Sequence, residues 1–203
     1  MFGCFKKRKL KKEIEQRSDF FPERTVCLIV PHEARKPGAW SPQLGASEYK
    51  YMELFLNGPL SDEFRQKDVD CHVIYRDGVG ISGAYKKALS LKPALIMEWH
   101  FNAYNGKANG FEILYKPDLQ KEKDLANDIL DVFKHVLGSK NRGLKVISKK
   151  GERGFYNVSQ TSKIPSILLE PFFGDNKKDA ANFDEKKLDV AKAVVQACLK
   201  YLD

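Results

Sequence analysis

The stretch Thr25-Val26-Cys27-Leu28-Ile29-Val30-Pro31-His32 decides the reading of this chain. Residues 25–31 carry no charge, are rich in β-branched side chains and stop at a proline. That is the pattern of a strand buried on both faces. Such strands belong to parallel sheets covered by helices, because an antiparallel sheet with one wet face alternates apolar and polar positions. Working outward, similar runs recur at residues 70–75 (DCHVIY), 94–99 (ALIMEW) and 166–170 (SILLE). Residues 110–115 (GFEILY) alternate instead, so they read as a strand exposed on one face.

Helical patterns separate these runs. Residues 47–57 begin at Ser47, a good cap, and Gly58-Pro59 ends or kinks them. Residues 84–91 form a short helix closed by Lys92-Pro93. Residues 119–137 place Leu125, Ile129, Val132, Phe133 and Val136 on one stripe and end at Gly138. Residues 186–202 turn Leu188, Ala191, Val194, Val195, Cys198 and Leu202 inward. Strands alternating with helices predict a single α/β domain built on a mostly parallel twisted sheet with helices on both faces. Residues 139–163 read as a long loop that either lines a groove or covers the sheet edge.

With 203 residues, 42% of them hydrophobic and 31% charged, the chain has the make-up of one globular domain. No apolar run approaches the ~18 residues needed to cross a bilayer. The net charge is +8, and much of it sits in Lys6, Lys7, Arg8, Lys9, Lys11 and Lys12. Residues 1–20 therefore read as a basic extension before a domain over residues 21–203. The extension is either a solvated tail or an electrostatic attachment to an anionic polymer or membrane. Glu13, Glu15 and Arg17 occupy the place of an apolar signal core, so cytoplasmic synthesis without a secretory signal is expected. The basic charge permits a nucleic-acid partner, but no reader motif accompanies it. Cys4, Cys27, Cys71 and Cys198 show no metal-finger spacing, and the last three read as small core residues.

In parallel α/β sheets, sites form at the carboxyl ends of the strands. His32, His100 and Glu170 each end or follow a predicted buried strand, and Glu48 opens the first helix. All four can share one rim. Two imidazoles and a carboxylate make a zinc site with a free fourth position, and a second carboxylate can serve as general base. Glu98 lies on the face opposite Trp99 and reads as an ion-pair residue. His72 and His135 read as structural or solvated.

Around these residues the chain resembles the zinc-dependent N-acetylmuramoyl-L-alanine amidases of the type 3 family, found in bacterial autolysins and phage endolysins. The resemblance rests on Pro31-His32, then Pro37-Gly38-Ala39, then Glu48. It continues through His100-Phe101-Asn102-Ala103, Gly110-Phe111-Glu112 and Asn141-Arg142-Gly143. It ends with Pro165, Glu170 and Asn176, and covers roughly residues 24–203 in the family's order. Two departures stand out: the family's Gly-rich His turn is reduced to Val30-Pro31-His32-Glu33-Ala34, and its Ser-Ile-His becomes Glu98-Trp99-His100. The resemblance implies that His32, Glu48 and His100 hold Zn²⁺ and that Glu170 is the catalytic base. Glu53, one turn on, is the rival to Glu48. The implied reaction is hydrolysis of the amide between N-acetylmuramic acid and L-alanine in peptidoglycan. Another zinc amidohydrolase or carboxypeptidase, or a non-catalytic wall-binding protein, remains open as an alternative. The implied setting is a cell-wall-degrading enzyme acting after release or non-classical export. Trp40 is free to pack on sugar or peptide, while Trp99 reads as core.

Overall fold

In the computed structural model, which describes residues 24–202, the opening run forms β1 (Thr25–Ile29), with all five residues buried. The basic extension expected over residues 1–20, and Cys4 with it, lie outside the described residues. β1 joins β4 (Asp70–Ile74), β5 (Leu95–Trp99), β6 (Phe111–Tyr115), β7 (Asn141–Val146) and β8 (Ser166–Glu170) in one sheet. Its order is β4-β1-β5-β8-β6-β7. Every neighbouring pair is parallel except β6 with β8, which is antiparallel. A two-stranded ribbon, β2 (Trp40–Ser41) with β3 (Ala46–Ser47), lies outside it.

The helices are α1 (Glu48–Phe55), α2 (Ser61–Arg65), α3 (Gly80–Ser90), α4 (Gln120–Leu137), α5 (Phe155–Val158) and α6 (Lys177–Cys198). Side chains alternate across each strand, and the two sheet faces are covered unequally. Val26, Leu28, Leu95, Met97 and Trp99 pack with Met52, Phe55, Phe133 and Phe183 in the large core under α1, α2, α4 and α6. Cys27, Ile29 and Ile96 meet Ala84, Tyr85 and Ala88 of α3, and Leu114 and Leu168 meet Val158 of α5. Burying one large apolar side chain contributes about 1.5–3 kcal/mol, so the first face carries most of the stability. The second face, under one three-turn helix and one single turn, has room for a site.

Several sequence expectations need correction. Residues 110–115 do not expose one face: all five residues of β6 are buried, because β8 and β7 flank it and both faces are covered. Residues 139–163 are not one loop, since they include β7 and α5; β7 was hidden by its polar sequence, Asn-Arg-Gly-Leu-Lys-Val. The last helix begins at Lys177, capped by the Asn176 side chain, nine residues before the expected start at Lys186. Leu188 does not face inward and is 56% exposed. Of the two readings of Gly58-Pro59, the kink holds: after α1 a five-residue π-turn, Leu56–Leu60, absorbs Pro59 and passes the chain into α2.

Glu122 is a buried carboxyl in the first turn of α4, accepting from the Lys116 amide at 2.9 Å. Burial pushes its pKa up from 4.5 to about 7. The folded protein therefore prefers it protonated. Its favourable contribution is complete below pH 4.5 and is lost as pH rises through about 7. Glu122→Gln is expected to remove that loss, so that melts at pH 8 show the variant more stable than wild type by on the order of 2 kcal/mol. Equal melting temperatures at pH 8 would contradict this.

Candidate active site

The chain leaves β1 through Val30 and Pro31 into His32, which takes a left-handed backbone, φ 61°. That turn points its imidazole back across the sheet rim. The following loop returns at Pro37-Gly38-Ala39, where the Pro37 and Ala39 carbonyls accept from the Tyr49 and Glu48 amides at 3.0 and 2.8 Å. The start of α1, capped by Ser47, is thereby bound to the His32 loop. Glu48, its first residue, is carried under the imidazole.

His32 Nε2 lies 2.9 Å from Glu48 Oε2, and His100 Nδ1 lies 2.7 Å from Glu48 Oε1. The two rings meet edge to face with centroids 5.2 Å apart. Backbone amides of Phe101 and Ala39 also donate to the carboxylate, at 3.3 and 3.4 Å. Burial disfavours its charge, but the two histidines outweigh burial and hold its pKa at about 2. Burial likewise works against a charged His100, yet Glu48 and Glu98 push its pKa up to about 10. Two imidazoles converging on one carboxylate form a ready cation site once a cation takes the place of the ring hydrogens between them. One donor atom from each of His32, Glu48 and His100 falls within 4.8 Å of the others, and this mixed nitrogen and oxygen set is the one zinc favours. Glu53, the rival carboxylate, turns outward to Lys50 at 2.7 Å.

Gly38 closes the cradle. It has φ +77°, and a Cβ there would sit 2.5 Å from His32 Cδ2 and 2.7 Å from Glu48 Oε2. Gly38→Ala is expected to displace both side chains and lower metal affinity at least tenfold while the core still folds. Isothermal titration with zinc checks this; an unchanged affinity would show that the cradle yields freely.

Glu170 ends β8, which runs beside β5, and is only 6% exposed. Its Oε2 is buried with no partner, and its Oε1 lies 3.5 Å from Arg153 Nη1. Burial pushes its pKa up to about 7; His100 and Arg153 draw it down, Glu48 and Glu112 raise it. Glu170 and the three potential ligands line one cavity of about 410 Å³ with Arg76, Asn102, Arg153 and Asn157.

Five further charged groups were not among the ligand and base residues read from the sequence. Glu98 and Arg76 pair at 3.0 Å below the rim. Glu98 lies two residues before His100, so strand alternation itself puts both on one face. Glu112 stands opposite Glu170 in register across the β6–β8 pair. Arg153 and Arg142 both pair with Glu112, and Arg153 also donates to Asn102 Oδ1 at 2.7 Å. No apolar pattern marks Arg153, which lies in a turn. The two readings of residues 139–163 divide along the chain: β7 forms the sheet edge, while Arg153, Gly154 and Asn157 line the cavity. Trp99 is fully buried and Trp40 is 60% exposed. His72 pairs with Asp70 at 2.8 Å and His135 with the Asp131 carbonyl at 2.7 Å, both away from the cavity.

A family model for N-acetylmuramoyl-L-alanine amidases matches residues 26–200. The N-acetylmuramoyl-L-alanine amidase LytC of Bacillus subtilis is 32% identical over 120 residues, 57% of this chain and 23% of LytC. This chain thus spans under a quarter of that relative's length. The solved structure of Cwp6 from Clostridium difficile superposes with a TM-score of 0.76 at 26% identity, covering 90% of this chain and 30% of that one. The catalytic domain of the CD27L endolysin targeting Clostridia difficile gives a TM-score of 0.65 at 27% identity, covering 87% of this chain and 97% of that one.

Proposed function

Because the chain belongs to the N-acetylmuramoyl-L-alanine amidase family, we propose that it hydrolyses the amide joining N-acetylmuramic acid to L-alanine of the peptidoglycan stem peptide, with Zn²⁺ held by His32, Glu48 and His100. The observation that carries the reading is the unpartnered, buried Oε2 of Glu170 in the same cavity as that ligand set. A buried carboxylate oxygen without a donor is costly to maintain, and a general base has that arrangement before its water arrives.

When bound, zinc supplies Lewis acidity, acidifying water from 15.7 towards ~7 and polarising an amide carbonyl. Glu170 accepts the proton of the attacking water at Oε2. It then returns that proton to the departing alanine nitrogen. Arg153 bridges Glu170 and Glu112 and keeps Glu170 Oε1 occupied, leaving Oε2 for the water. Glu48 fixes both imidazoles, and Gly38 lets the loop approach them. Residues 21–203 are the catalytic domain in this reading. Acting on the wall after release from the cell, as an endolysin or autolysin does, is part of the proposal, as is wall-polymer contact through the basic residues 6–12. Among the described residues no helix is long and apolar enough to cross a membrane.

Digestion of purified peptidoglycan tests the reading. New alanine amino termini without new reducing sugar ends, abolished by a chelator and restored by zinc, are expected. Cleavage at another amide with the same metal dependence would move the assignment to a different zinc amidohydrolase. Bound zinc with no cleavage in any wall chemotype would sink the peptidoglycan assignment.

A further inference from the structure

Below the ligand cluster sits a carboxylate that the proposed reaction leaves unused. Glu98 is completely buried. Its Oε1 accepts from Arg76 Nη1 at 3.0 Å and from Asn157 Nδ2 at 2.8 Å. Its Oε2 accepts from the Tyr85 hydroxyl at 3.0 Å and from the same Asn157 amide at 2.8 Å. The remaining contact of Oε1 is His100 Nε2, at 3.1 Å.

The chemistry of these partners fixes roles. A guanidinium and an amide NH₂ can only donate, and the Tyr85 hydroxyl donates here as well, so both carboxylate oxygens act as acceptors. A ring nitrogen facing such an oxygen at 3.1 Å must carry the hydrogen. By the same rule Nδ1, 2.7 Å from Glu48 Oε1, also carries a hydrogen in the metal-free protein. A cation held by Glu48 and His32 would take the place of that hydrogen, and the neutral imidazole then keeps its one hydrogen on Nε2, facing Glu98.

The donors that hold Glu98 come from three elements. Arg76 follows β4, Tyr85 lies on α3 and Asn157 on α5. A simple ion pair with Arg76 would not need the amide and the hydroxyl, nor an oxygen shared with a ring two residues on. This arrangement holds one carboxylate oxygen in register with one imidazole nitrogen.

We propose that Glu98 is a positioning residue that fixes His100 as its Nε2–H tautomer and so presents Nδ1 to the metal. The proposal rests on the zinc reading given above. Outer-sphere carboxylates of this kind tune a histidine ligand's orientation and basicity.

Two measurements test it. In long-range ¹H–¹⁵N spectra of the zinc-loaded wild-type protein, the His100 ring is expected to show a protonated Nε2 and a metal-shifted Nδ1. Metal at Nε2 and a proton on Nδ1 would overturn the proposal without any variant being made. In chelator competition, Glu98→Gln is expected to bind zinc 10–100-fold more weakly than wild type, with Asn157→Ala weakened less. A folded Glu98→Gln protein with wild-type zinc affinity would overturn the positioning role and leave the zinc site standing. A wild-type protein that takes up no zinc would overturn the zinc site itself, and this inference with it.

Discussion

Glu170→Gln should lower amide turnover by roughly 10²–10⁴-fold, the range a positioned general base contributes, while zinc affinity stays within a factor of about two of wild type. Glutamine keeps the volume of the side chain and can still accept from Arg153, so the cavity shape survives. It cannot take a proton from water. The same change should not weaken the fold above neutral pH, because burial already disfavours the charged carboxylate and pushes its pKa up to about 7. The base form exists only above its pKa, so kcat/KM should rise with pH along a limb at or below about 7; a bound cation nearby draws that limb down. Steady-state rates on solubilised muropeptides, metal content and a melt at pH 8 read the three effects separately. Loss of zinc from the variant would make Glu170 a ligand and end its assignment as base.

His100→Ala has the largest expected effect on the site as a whole. The imidazole stands between two buried carboxylates, 2.7 Å from Glu48 and 3.1 Å from Glu98. Without it the proposed zinc set loses a ligand, and Glu48 and Glu98 lose the positive group between them. Zinc affinity should fall more than 10²-fold, beyond the loss expected for an outer partner. The zinc-free variant should also be less stable than zinc-free wild type by roughly 3–5 kcal/mol, the range found when a buried charge loses its partner. Equilibrium dialysis and chelator-treated melts measure the two. A variant that melts like wild type would mean that water or Arg76 already neutralises the pair.

Four residues of the cavity were legible because each is tied to a strand end or a helix start, and those boundaries are written in apolar runs. His32 follows TVCLIVP, His100 follows ALIMEW, Glu170 closes SILLE and Glu48 follows the cap Ser47. Elements whose signal is not apolar were lost. β7 pairs through its backbone and shows a polar sequence. The first turns of α6 are specified by the Asn176 cap and bury, of apolar residues, only Ala180 and Phe183 among charged and polar neighbours, too sparse a stripe to mark the start. Leu188 fits the helical period by number, but the helix turns it to solvent. Glu112 was placed on a strand by its motif, yet nothing in one sequence announces that β6 runs against β8. Arg153 joins the site only through a turn, and its partners lie 17 to 51 residues away.

The strand order also sets a sequence of events. β8 is the last strand of the sheet to leave the ribosome, and it occupies an interior position between β5 and β6. Until residue 170 has been made, those two strands have no partner on their facing edges, and the sheet cannot close over α4. His32, Glu48 and His100 are all synthesised in the first half of the chain. A growing chain therefore carries all three proposed metal ligands long before the strand that brings the proposed base. Insertion of β8 completes the hydrogen-bonded sheet and delivers Glu170 in the same step. Such distant pairings make folding slow relative to a helical bundle, and they would withhold the proposed chemistry from any chain that has not inserted β8.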